Sequence, residues 1–255
     1  MIRFFRQIRQ RLLSGNKFSK YLLYAVGEIL LVMIGILLAL QVSNWNNERI
    51  DASREQTILK NLSVDFKNNF DNVNEVSGKS FEAYQASVKL LEIIKSDDPI
   101  DPTEIEYLVD EIINKIQSLD IITGSLDELF NTGSLHLISD PKLRKQLSNW
   151  SFYYSDTEDD IVIYRDYLFG FFIPSLTGKV RLRNMSVPSF FEDELDLENI
   201  TRSNFELDYQ NAIRTVEFEN QVYNNTLNYM YVLNSYKVFQ NYLEETLVLI
   251  ELNIK

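Results

Sequence analysis

The chain has 255 residues with no cysteine, a single histidine and a net charge of −12, which excludes disulfides, thiolate metal sites and cysteine nucleophiles. The charge is split, because residues 1–43 carry six Lys/Arg against one Glu while the remainder carries 19 basic and 36 acidic side chains; so acidic a body repels phosphate and excludes nucleic acid as a partner. Eight glycines and five prolines are too few for a β-sandwich with a turn every ~8–12 residues, and the expected class is all-α.

Residues 1–20 open with MIRFFRQIRQRLL. On a helix this places Phe4, Phe5, Ile8 and Leu12 on one face and Arg3, Arg6 and Gln10 largely on the other. With Arg9 and Arg11, these arginines form a candidate membrane-surface segment lying in the cytoplasmic headgroup layer; a plain basic flank without lipid contact is the simpler alternative. Ser14-Gly15-Asn16 supplies the turn into the next element.

Residues 21–43 are almost continuously apolar and long enough to cross a hydrocarbon core of about 30 Å. Six basic residues precede this segment, and only Arg49, Arg54 and Lys60 follow it closely. The positive-inside rule therefore puts the N-terminus in the cytoplasm and residues 44–255 outside, in the periplasm of a bacterial inner-membrane protein. The run is longer than a secretory h-region and lacks a small-residue cleavage pattern, which favours a retained signal anchor over a cleaved one. Tyr21, Tyr24 and Trp45 mark the two interfaces.

Glu28 stands inside the span, where an ionisable group is costly and normally faces protein or water. At 100° per residue, Val32, Gly35 and Ala39 fall within about 40° of it, and Gly35-x-x-x-Ala39 is a small-x-x-x-small pair that lets two helices approach closely. This face is the candidate transmembrane contact. Glu28 is then either protonated between copies or ionised against a cation of another membrane protein. Snorkelling to an interface and proton carriage are the alternatives.

Beyond the span the pattern predicts long amphipathic helices. The first runs from about Trp45 to Lys95, with Leu59, Leu62, Phe66, Val73 and Val76 on its stripe, Asn69 interrupting, Phe81, Tyr84, Val88 and Leu91 continuing it, and a bend near Gly78. Asp101-Pro102 with Glu104 signals a second start, followed by an apolar face from Ile105 through Ile112 to Leu119. Ser139-Asp140-Pro141 signals a third, carrying Leu143, Leu147, Trp150 and Tyr154 and closed by Pro174. A connection over 176–204 contains Pro188 and EDELDLE, and a last helix from about Glu217 to Ile254 holds heptad-like positions at Val222, Tyr229, Leu233, Tyr236, Leu243, Leu247 and Ile250, with Thr226 and Gln240 as interruptions. Single-striped long helices must cover one another, so an antiparallel helical bundle is expected for 44–255; pairing with other chains in a coiled-coil stalk is the alternative.

Chemistry-bearing motifs are sparse. His136 has no second His or Cys to make a metal site and reads as part of a capped turn. Asp156, Asp159 and Asp160 share a helical face but lack the calcium-loop Gly and distal Glu. No glycine-rich phosphate loop is present. No enzyme activity, cofactor or metal is expected.

The stretch KFSKYLLYAVGEILLVMIGILLALQVSNWNNER, with its Tyr-x-x-Gly-Glu entry and Asn-Trp-Asn exit, and the later TGSLHLISDPKLRKQL resemble an uncharacterised family of single-span membrane proteins of Bacteroidota defined by a domain of unknown function. The resemblance implies a membrane anchor with a helical outer domain and no established activity. The expected role is a membrane-anchored interaction or assembly module, in contact with the lipid bilayer and either self-associating or binding another membrane protein. A periplasmic ligand sensor working through a separate membrane partner is the alternative.

Overall fold

The computed structural model describes residues 18–185 and 200–255. Every regular element among them is helical: α1 (Phe18–Lys95), α2 (Pro102–Asn114), α3 (Gly124–Asn131), a 3₁₀ turn (Ser134–Leu137), α4 (Pro141–Ser148), α5 (Trp150–Tyr167) running into a π-helical segment (Leu168–Phe172) and a single turn (Ile173–Ser175), a second 3₁₀ turn (Leu182–Asn184), α6 (Tyr209–Ile213) and α7 (Val216–Asn253). Two compact units divide the chain, the first ending at Gln56 and the second comprising Thr57–Lys255.

The first unit holds the apolar part of α1. Within the described residues this helix contains an 18-residue window of mean hydropathy 2.4, long and apolar enough to cross a membrane, with none of that window buried.

The second unit has one apolar core. The α1 positions facing it are Leu59, Leu62, Phe66, Asn69, Val73, Val76, Ser80, Ala83, Ser87, Leu90 and Ile94, in alternating steps of three and four. The α7 positions are Phe218, Val222, Asn225, Tyr229, Val232, Tyr236, Phe239, Leu243, Thr246 and Ile250, with the same alternation. A mean period of about 3.5 residues keeps one seam of a long helix on its neighbours by slight supercoiling. Beyond Val76 the α1 seam departs from the expected one: Phe81 is exposed and Tyr84, Val88 and Leu91 are half-buried, while small residues take the core. At Ser80 the physical reason is volume, since the Tyr236 side chain of α7 meets it.

Two starts follow their sequence signals. The Asp101 side chain accepts from the Thr103 amide and that of Asp140 from the Lys142 amide, each with Pro in the first turn, contacts worth about 1 kcal/mol apiece. Glu104, however, pairs with Lys89 on α1. Helix α1 runs through Gly78 as one continuous helical element. Two other expectations are corrected. Helix α2 ends at Asn114, leaving Ile116 and Leu119 in a non-helical connection, whose far end Asn69 holds by accepting from the Ile122 amide (2.8 Å) and donating to its carbonyl (2.9 Å). The third helix is interrupted at Asn149, where α4 gives way to α5.

In two pairs of elements the contacting positions run in opposite order. Tyr164 on α5 meets Tyr229 on α7 at 4.5 Å between ring centroids, and Tyr153 meets Tyr242 at 4.4 Å. Lys89 reaches Glu104 while Lys115 reaches Glu82. Trp150, packed against Phe66, Tyr154, Phe239 and Tyr242, joins α1, α5 and α7.

Candidate functional site

In the apolar part of α1, Val32 is exposed, Glu28 half-buried, and the face they share with Gly35 and Ala39 is helical throughout. A Cβ added at Gly35 meets no atom within 4 Å. Arg3, Arg6, Arg9 and Arg11 lie outside the described residues, as do the side chains of Tyr21 and Tyr24, Pro188 and the EDELDLE stretch. Trp45 is exposed.

The second unit contains a polar centre that sequence reasoning missed. Glu106, on α2, is 3 % exposed and accepts from Arg181 Nε (2.7 Å), Asn184 Nδ2 (2.9 Å), Arg202 (3.1 Å) and the Tyr209 hydroxyl (2.8 Å). Burial opposes ionisation of this carboxyl, yet the hydrogen bonds from Tyr209, Asn184 and Arg181 and the Arg181 charge outweigh it and hold the group below the ordinary Glu range. Around it, Tyr209 also accepts from the Arg181 amide, the Arg183 guanidinium donates to Thr201 and the Ser203 amide to Asn184. A carboxylate with four donors already on it is a clasp rather than a base or a metal ligand. It ties residues 181–184 and 201–209 to α2. Its sequence signal was slight: one acid bordering the Ile105/Val109/Ile113 face, and Lys179, Arg181 and Arg183 alternating in an otherwise acidic domain.

A second polar set is phenolic. The Tyr164 hydroxyl donates to Asn225 (3.2 Å), Tyr229 to the Ile112 carbonyl (2.6 Å) and Tyr242 to the Gln146 carbonyl (2.9 Å). Burial raises the pKa of all three and pushes Tyr236 up to about 12. Such phenols stay neutral and join helices.

His136 sits in the expected turn, its Nδ1 2.8 Å from the Gly133 carbonyl, with Gly133 in the left-handed region at φ 66°. Of the acidic trio, Asp156 and Asp159 are exposed, whereas Asp160 accepts a short hydrogen bond from Ser235 on α7. Among the described residues no three His, Asp or Glu side chains group to hold a metal ion. No family model matches the chain, and neither the curated proteins nor the solved structures include a match to it.

Proposed function

We propose that this chain is a single-pass inner-membrane protein with its N-terminus in the cytoplasm, whose periplasmic domain is an antiparallel helical bundle, and that it works as an interaction or assembly module. The charge asymmetry about the apolar segment supports the orientation, and the paired contacts of α5 with α7 and of α1 with α2 support the antiparallel reading. The observation that carries the association is the shared helical face of Glu28, Val32, Gly35 and Ala39, where Gly35-x-x-x-Ala39 has the small-residue spacing at which two helices pack closely and an acid stands on the same side.

The test is the mass per particle of the full chain extracted gently from its native membrane. Assembly gives an integer multiple of 29.9 kDa or a heteromeric excess, and Gly35→Leu or Glu28→Gln returns the particle to a single chain. A wild-type particle already containing one copy and nothing else refutes the reading.

A further inference from the structure

The outer face of α5 is the most unusual surface of the second unit. The helix buries Trp150, Thr157, Ile161 and Tyr164, and what it leaves outward is not a solvated face. Phe152, Ile163, Phe169 and Phe171 are each 60 % exposed or more, and Val162 is exposed beside them. Interleaved with them are the exposed carboxylates of Asp156, Glu158, Asp159 and Asp166, and the single cation of the segment, Arg165, is half-buried. At 100° per residue, Phe152, Asp156, Asp159, Ile163 and Asp166 fall within about 80° of one another. In the π-helical turn Phe169 and Phe171 are exposed while Leu168 and Phe172 are buried; Phe169 lies about 100° round the helix from Phe152, on the flank of the row beside Val162. From Phe152 to Asp166 the row is about 21 Å long.

Exposed aromatic side chains in such a row mark an interaction surface, and the carboxylates select its partner. A second copy would bring the same acids against themselves, and an anionic bilayer surface would repel them. We propose that the outer face of α5 docks a cationic amphipathic helix of a separate protein, whose apolar residues at spacings of three and four seat among Phe152, Ile163 and Phe169 while its Lys/Arg side chains meet Asp156, Asp159 and Asp166. This rests on the interaction-module reading but not on the transmembrane contact.

The probe is a fluorescent peptide of sequence MIRFFRQIRQRLL, which has the required chemistry; in the proposed topology the chain's own copy of it lies across the bilayer. Its anisotropy is titrated with the full-length protein in zwitterionic nanodiscs against empty discs. Saturable binding beyond that of empty discs, weakened tenfold or more by Asp156→Asn/Asp159→Asn/Asp166→Asn and equally by Ile163→Ser, with Trp150 fluorescence unchanged in a Trp45→Phe background, supports the docking face. Absence of binding, binding indifferent to these variants, or equal binding of a scrambled peptide overturns it. Flotation of the protein with anionic vesicles through the same residues overturns it in favour of a membrane surface. The particle mass of the triple variant is expected to equal that of the wild type, so loss of peptide binding and loss of assembly fail separately.

Discussion

Replacing Glu106 by Ala removes one carboxylate from a clasp in which Arg181, Arg202, Asn184 and Tyr209 all converge on it within 3.1 Å. Breaking a buried ion pair from one side costs about 3–5 kcal/mol because the remaining charge is left unpaired. Arg202 is 65 % exposed and returns to water, so the cost comes from Arg181, Asn184 and Tyr209, and the lower end, about 3 kcal/mol, is expected. That corresponds to a fall in Tm of roughly 6–12 °C for a domain of this size. Glu106→Gln keeps an acceptor but loses the charge and is expected to cost about 1.5–2 kcal/mol, Tyr209→Phe about 1 kcal/mol, and Arg202→Ala no more than ~0.5 kcal/mol. The assay is denaturant unfolding of the solubilised full chain followed by tryptophan fluorescence in a Trp45→Phe background, which leaves the buried Trp150 as reporter of the second unit's core. The pH dependence has a defined sign. The folded pKa of Glu106 lies below the unfolded value of ~4.3, so its stabilisation is fully present above that value and is lost as pH falls through it toward the folded pKa. Glu106→Gln removes that part of the acid slope. A Glu106→Ala cost below about 1 kcal/mol, or Arg202→Ala costing as much as Arg181→Ala, would falsify the clasp.

Asn69→Ala leaves the Ile122 amide and carbonyl without their side-chain partners; a loss of about 2 kcal/mol is expected, together with faster hydrogen exchange in residues 115–123, and exchange unchanged there contradicts the bidentate role. Gly133→Ala forces a Cβ into the left-handed region and is expected to cost about 1 kcal/mol by chemical denaturation, whereas Gly78→Ala, within a helix and with nothing near its Cβ position, is expected to stabilise by a few tenths to about 1 kcal/mol. In alkali the buried phenols titrate later than free tyrosine: Tyr236 is raised to about 12, so the folded state is favoured below the unfolded pKa of ~10 and loses stability as pH rises from there toward 12. Tyrosinate absorbance from these residues is expected to appear together with unfolding, and gradual ionisation of a still-folded core contradicts their burial.

Legibility followed the range of the interaction. Caps are local, and Asp101-Pro102 and Asp140-Pro141 were readable because donor and acceptor lie two residues apart. The α1 stripe was readable to Val76 and then misread, since the eye follows large side chains to Phe81, Tyr84 and Val88 when the seam runs through Ser80, Ala83 and Ser87. Nothing local says that a core position must be small; at Ser80 the neighbour is Tyr236 of α7, some 150 residues away. The end of α2 was hidden because apolar periodicity continues through Ile116 and Leu119, and the Asn69–Ile122 pair that anchors the connection lies 53 residues apart in sequence. Glu106 was invisible because its partners lie 75 to 103 residues along the chain.

The heptads also change what association can mean for this chain. Read alone, long stripes on α1 and α7 invite pairing between chains in a stalk. In the fold those positions are occupied from within: Phe66 by Trp150, Tyr229 by Tyr164, Ser80 by Tyr236, and Gln240, one of the supposed interruptions, donates to Asn74 on α1. A seam so filled has nothing left to offer a second copy without unfolding the first. Any association through the second unit therefore has to use surfaces lying off the heptads, and the acidic side of α5 is one whose charge opposes self-pairing. In the proposed reading the two capacities separate: copies or membrane partners meet through Gly35 and its neighbours, and a cationic partner meets the second unit through α5. Exchanging the α1 seam for a stronger coiled-coil sequence should then disturb folding before it disturbs assembly, an order that particle mass and Trp150 fluorescence resolve in one sample.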